Sequence, residues 1–236
     1  MILKELQLKN DDILMFKCNH IRDRKYTWNH STPFPIYLVG GFSAALNEDL
    51  CQFNGTDPEN GYDHIGMIGK GYLEKEDANK WYLRHAHPPR ASSNELTEEY
   101  WKELLAEHDL EVWRFKENLK ISEDDRLAVI DESCKIANFK WNEKKKLYEG
   151  VLYNWPAVIL APVTWFFSWF GLRFAVRSIA KHCAEYTFKS NLRIKEVFSP
   201  EGKLDPCVSP NEIINAGLSY RLYTLVVNDN GAIIIS

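Results

Sequence analysis

The chain has 236 residues, of which 45% are hydrophobic and 26% charged. This is globular composition with enough apolar material for a sizeable core, and it excludes collagen-like, low-complexity and largely disordered chains. Lys and Arg number 29 against 33 Asp and Glu, so the net charge of −4 gives no whole-surface attraction to nucleic acid or anionic lipid.

The start, Met1-Ile2-Leu3-Lys4-Glu5-Leu6, has no basic region followed by an apolar stretch, so no secretory signal is expected. Residues 10–18 predict a turn at Asn10, Asp11 and Asp12, then a strand through Ile13 to Phe16. Residues 19–35 read as loop, 36–46 as a short helix or strand around Gly40-Gly41, and 52–61 as loop. Tyr62 to Ile68 predicts a strand entered by His64. A Gly-rich, charged connection follows, and Trp81 to Ala86 is the partner strand, ended by Pro88-Pro89.

Residues 95–118 read as helix, capped by Asn94 or Thr97. Ser122 to Phe139 reads as a second helix, with Ser122 and Asp125 fitting a capping box. Lys140 to Glu149 is a charged connector. Val151 to Leu172 carries no charge and is long enough to span a bilayer. Pro156 and Pro162 interrupt it, and a buried or groove-lining helical hairpin is the preferred reading. Arg173 to Lys189 reads as helix, and Ser209-Pro210-Asn211-Glu212 starts another. Residues 219–227 and 232–235 predict two strands joined at Asn228-Asp229-Asn230-Gly231. With no repeat and no linker, one α+β domain spanning 1–236 is expected, with a helical insertion around 92–150.

Five cysteines, Cys18, Cys51, Cys134, Cys183 and Cys207, are widely spaced without a CxxC pair. Reduced thiols in a cytoplasmically synthesised protein are expected, not a disulfide framework or zinc site. A thiolate is the nucleophilic form, and an imidazole or a helix N-terminus stabilises it. A helix beginning at or just before Cys183 would supply such an N-terminus. His64 and His85 lie on neighbouring strands, and antiparallel pairing puts both imidazoles on one face, with His85 orienting His64. Together these give a Cys–His–polar arrangement.

In their order these phrases resemble the circularly permuted branch of the NlpC/P60 peptidases, within the papain-like superfamily. Asp11-Asp12-Ile13-Leu14-Met15-Phe16 is similar to the opening G-D-I-L-L-F phrase. His64-Ile65-Gly66-Met67-Ile68 matches the catalytic-His phrase, Arg84-His85-Ala86 the polar-residue phrase, and Cys183-Ala184-Glu185-Tyr186 the late C-S-E-[LF] phrase. Ser209-Pro210-Asn211-Glu212-Ile213-Ile214 is similar to the S/T-P-x-[DE]-L phrase that follows. Asp11 replaces the family's Gly, Ala184 replaces Ser, and the gap from His64 to His85 is longer than usual.

The resemblance implies a papain-like α+β fold with a small antiparallel sheet packed on helices. It implies a cysteine peptidase or amidase with Cys183 as nucleophile, His64 as base and His85 as the third residue, and no metal or cofactor. Cell-wall peptide amides are the implied substrate, with lipid or acyl substrates as the variant within the branch. The resemblance extends to antibacterial type VI secretion effectors. On that reading the protein is exported by a dedicated apparatus, acts in a rival's periplasm and has a cognate immunity protein.

Plainer readings stand beside this one. Cys183 also fits a buried structural thiol, and His64 a strand-edge histidine. His85-Ala86-His87 points two rings to one face, as in some metal sites. His182 points away from its neighbour on a helix. Lys144-Lys145-Lys146 fits a solvated turn, and Trp165 to Phe170 fits core or a substrate groove. A non-enzymatic immunity or inhibitor-type binding protein suits the acidic, Trp-rich composition equally. In a membrane-embedded acyltransferase, one span between His64 and Cys183 would separate them across the bilayer.

Overall fold

The computed structural model describes residues 5–17, 62–87, 89–153, 183–198, 210–228 and 232–236. These residues form a mixed α+β fold on one nine-stranded antiparallel sheet. In chain order they are β1 (Asp12–Lys17), β2 (Tyr62–Lys70), β3 (Trp81–His87), β4 (Arg90–Glu95), α1 (Glu98–Glu107) and β5 (Asp109–Phe115). Next come α2 (Glu123–Ala137), β6 (Lys140–Asn142), β7 (Leu147–Leu152), α3 (Cys183–Ser190), α4 (Leu192–Phe198), α5 (Pro210–Asn215), β8 (Ser219–Val227) and β9 (Ile233–Ile235). The strand order is β6-β7-β4-β3-β2-β1-β5-β8-β9, larger than the small sheet expected.

Alternation along the central strands builds two cores, one on each face. Leu14 and Phe16 of β1 share one face with Ile68, Leu83, Leu110 and Val112, and Trp101 and Leu105 of α1 cover them. Ile13 and Met15 point the other way. They pack with Tyr62, Ile65 and Phe115 under Cys183 and Ala184 of α3, Ile194 of α4 and Ile213 of α5. Met67 and Ala86 extend this second core to Val129 of α2 and Tyr186 of α3.

The start of β1 shows why the opening phrase needs its acids. Asp11 sits in the left-handed region at φ 66°, which favours glycine but which Asp tolerates. Its buried carboxylate pairs with Arg126 of α2, tying that helix to the strand. Asp12 binds Arg114 of β5 with two bonds, 2.8 Å from Nε and 2.7 Å from Nη2, and also accepts from the Lys9 N–H at 2.7 Å. The two acids are anchors for the fold.

Several expectations hold. The capping box at Ser122 and Asp125 starts α2, Thr97 caps α1, and β8 pairs antiparallel with β9. Others are corrected. The helix expected over 95–118 ends at Glu107, and Asp109–Phe115 is a central strand. The Lys140–Glu149 connector is largely the β6–β7 hairpin. The 92–150 segment therefore feeds strands into the sheet as well as helices onto it. Readings for 18–61, 154–182, 199–209 and 229–231, including most of the apolar 151–172 stretch, lie outside the described residues. Among the described residues no helix is long and apolar enough to cross a membrane.

Candidate functional site: a histidine row on the central strands

His64 pairs across the ladder with Phe16, and His85 with Ser92 of β4. Both imidazoles therefore face α1. The expected meeting of His64 and His85 is present, with His64 Nε2 2.7 Å from His85 Nδ1. Beyond it, His85 Nε2 lies 3.3 Å from Asn94 Nδ2, which donates to Ser92 Oγ at 2.8 Å. His87, at the exposed end of β3, and His108, just after α1, complete the group. His87 is 5.8 Å from His64 and 5.5 Å from His85 between ring centroids. Phe16 lies among the rings, edge-on to His64 at 4.8 Å and to His108 at 5.5 Å.

Gly66 makes the close approach of β3 possible. A Cβ there would lie 2.8 Å from Leu83 Cδ1 and 3.0 Å from His85 Cβ. The glycine of the H-I-G phrase thus allows His85 to come within bonding reach of His64.

The row has a direction. As placed, the Asn94 amide N–H faces His85 Nε2, which must then accept. His85 donates from Nδ1 to His64 Nε2, leaving the proton of neutral His64 on its own Nδ1. A half-turn of the Asn94 amide reverses every bond, because the Ser92 hydroxyl can donate as well as accept. His64 Nδ1 then becomes the free lone pair, the form a general base needs. Burial, then the imidazoles of His85, His87 and His108, hold His64 well below the usual imidazole range. Burial, then His87, does the same for His85. In both rings the neutral form is favoured.

Cys183 is the first described residue of α3, and it sits behind the sheet. It is 5% exposed and packs with Ile13, Met15, Tyr62 and Ile65. Those side chains point away from the face that carries Leu14, Phe16 and His64. The structure therefore brings His64 and His85 together, and sets Cys183 on the opposite face, in the buried cluster that holds Tyr62 and Ile65. Close by on the Cys183 side, the buried Glu111 carboxylate accepts from Tyr62 Oη at 2.5 Å and Trp113 Nε1 at 2.9 Å. It also pairs with Lys17 at 2.8 Å and Arg221 at 3.1 Å.

The sequence reading missed Asn94 as a member of the row, having placed it at a helix start. Its signal was the polar alternation of Ser92 and Asn94, visible once β4 is recognised as a strand. For a metal, His85 and His87 offer two imidazoles on one face. Among the described residues no group of three or more His, Cys, Asp or Glu is arranged to hold an ion.

In comparison with known proteins, no family model matches the chain and no curated protein is significantly similar to it.

Proposed function

We propose that the protein is a cysteine hydrolase of the circularly permuted NlpC/P60-like, papain-like class, cleaving amide bonds. Cys183 is the nucleophile, His64 the proton-transfer group and His85 the residue that holds its tautomer. The observation carrying this reading is the 2.7 Å bond between His64 and His85, continued to Asn94. An imidazole held by a second oriented polar group is the base half of an activated nucleophile. The order of elements supports it too. The D-I-L-x-F phrase forms β1, His64 lies near the start of β2, His85 follows on β3, and Cys183 lies on the helix α3.

In the reaction, the Cys183 sulfur bonds to the amide carbonyl carbon while His64 accepts the thiol proton. The C–N bond then breaks, and the imidazolium returns that proton to the leaving amine. Water, deprotonated by the same imidazole, cleaves the thioester and frees the sulfur. Peptidoglycan peptides are the proposed substrate. Delivery as an antibacterial effector with a cognate immunity protein is the proposed setting.

The test is turnover of peptidoglycan-derived peptides by the purified protein. Cys183→Ala and His64→Ala are each expected to lower the rate by about 10²-fold or more. Unchanged turnover in Cys183→Ala removes the reading. A second reading, a non-enzymatic immunity or inhibitor-type binding protein, is favoured by one observation: Cys183 packs on the face opposite the imidazoles. A binding protein keeps its partner affinity in both variants and shows no turnover.

A further inference from the structure

Next to His64 the β1–β2 ladder carries one spare residue. Along β1 and β2 the pairing runs regularly from Asp12↔Ile68 to Phe16↔His64, then jumps to Lys17↔Tyr62. Asp63 is the extra residue of a β-bulge. Both flanks of the bulge are pinned. On one side Met15 pairs with Ile65, and both are fully buried. On the other, Lys17 and Tyr62 share the Glu111 carboxylate, at 2.8 and 2.5 Å. Between the pins β1 has one residue, Phe16, and β2 has two, Asp63 and His64.

We propose that Asp63 and His64 exchange places opposite Phe16, and that this exchange turns His64 from the histidine row to Cys183. Adjacent strand positions face opposite sides, so a one-residue slip reverses the face of the side chain that moves. Both pinned pairings survive the slip, and the ladder from Ile65 to Ile68 keeps its register. The motion gives up the bond to His85 and the edge contact with Phe16. It brings the imidazole to the side where Tyr62, Ile65 and Cys183 already pack together. There it takes the thiol proton and leaves a thiolate on Cys183. Asp63 supplies only the spare backbone position, and His85 holds His64 in the resting arrangement. The geometry of the exchange stands on the register alone, whereas its use rests on the cysteine hydrolase reading.

Oxidative trapping tests it. His64→Cys, treated with diamide, is expected to form a disulfide with Cys183, located by peptide mass mapping. Ile65→Cys is the control, since Ile65 lies in the same buried cluster as Cys183. Deleting Asp63 removes the spare residue and is expected to abolish the His64→Cys crosslink. A crosslink in the Ile65 control but none at position 64 overturns the exchange.

A second measurement needs no introduced thiol. Alkylation of Cys183 by iodoacetamide at pH 7 is expected to slow at least tenfold in His64→Ala and in the Asp63 deletion. Profiles from pH 5 to 9 that superimpose on the wild type overturn the proposal. A position-64 crosslink without amide turnover supports the exchange and removes the hydrolase. His64-dependent turnover with neither crosslink nor His64-dependent alkylation does the reverse.

Discussion

Gly66→Ala probes the packing that lets the histidine row form. The added Cβ would sit 2.8 Å from Leu83 Cδ1, 3.0 Å from His85 Cβ and 3.4 Å from the Arg84 carbonyl oxygen. The Leu83 methyl group can swing aside by a rotamer change. The His85 Cβ cannot, because it moves only with β3, whose neighbouring rungs Met67↔Arg84 and Ile68↔Leu83 are in the ladder. Overpacking of this kind costs about 1–3 kcal/mol. Removing a glycine from the unfolded chain offsets about 0.4–1 kcal/mol. The net expectation is about 1–2 kcal/mol of destabilisation, a fall of about 0.5 M in the urea midpoint at an m-value of about 2–3 kcal/mol/M. Because the strain falls on His85, the hydrogen-bonded imidazole signals of His64 and His85 should also change in ¹⁵N spectra. An unchanged or raised midpoint, with both imidazole signals intact, refutes the reasoning.

Asp11→Gly should relieve left-handed backbone strain of about 1 kcal/mol but leave buried Arg126 without its carboxylate. Breaking such a pair costs about 3–5 kcal/mol, so a net loss of about 2–4 kcal/mol is expected. The double change Asp11→Gly with Arg126→Met should recover most of it. Urea unfolding checks this, and a double variant no better than the single contradicts it.

The pH dependence separates two kinds of group. His64 and His85 have native pKa values below the unfolded value of about 6.5, so the unfolded chain binds their protons first. Their contribution is full above about pH 6.5 and is lost as pH falls, by up to about 1.4 kcal/mol per pH unit for each ring. Asp11, pushed by burial from 3.8 to about 7, has the opposite sign. Its contribution is full below 3.8 and is lost as pH rises through about 7. Urea midpoints from pH 4 to 8 should show a flatter acid limb in His64→Gln and His85→Gln. In Asp11→Asn the decline toward neutral pH should shrink. Curves parallel to the wild type would contradict both assignments.

The central strands were legible because their chemistry is local. Turn residues before Ile13, a His-led apolar run at 64–68 and a proline stop after His87 mark β1, β2 and β3. The Ser122 and Asp125 capping box likewise marks α2. β4 was not legible, because Arg90-Ala91-Ser92-Ser93-Asn94-Glu95 offers serines and an asparagine to its neighbours in place of apolar side chains. Two of those side chains, Ser92 and Asn94, belong to the row, while Ser93 donates to Glu76 at 2.6 Å. β5 was absorbed into the preceding helix because its buried Glu111 and Arg114 look like surface charges until their partners across the sheet are seen. The facing of His64 was the hardest feature to read. It alternates with Ile65 onto the face of Phe16, and nothing in the local phrases says that the helix carrying Cys183 covers the other face.

The account turns on Cys183 and His64 acting as one chemical unit. The most direct measurement is the covalent intermediate. Wild type, His64→Ala and Cys183→Ala are mixed with a peptidoglycan-derived peptide, quenched within a turnover and analysed by mass spectrometry. The account predicts an acyl group on the Cys183 sulfur in the wild type, formed about 10²-fold more slowly without His64 and absent without Cys183. Substrate consumed with no adduct at Cys183, or an adduct that forms equally fast without His64, would contradict it.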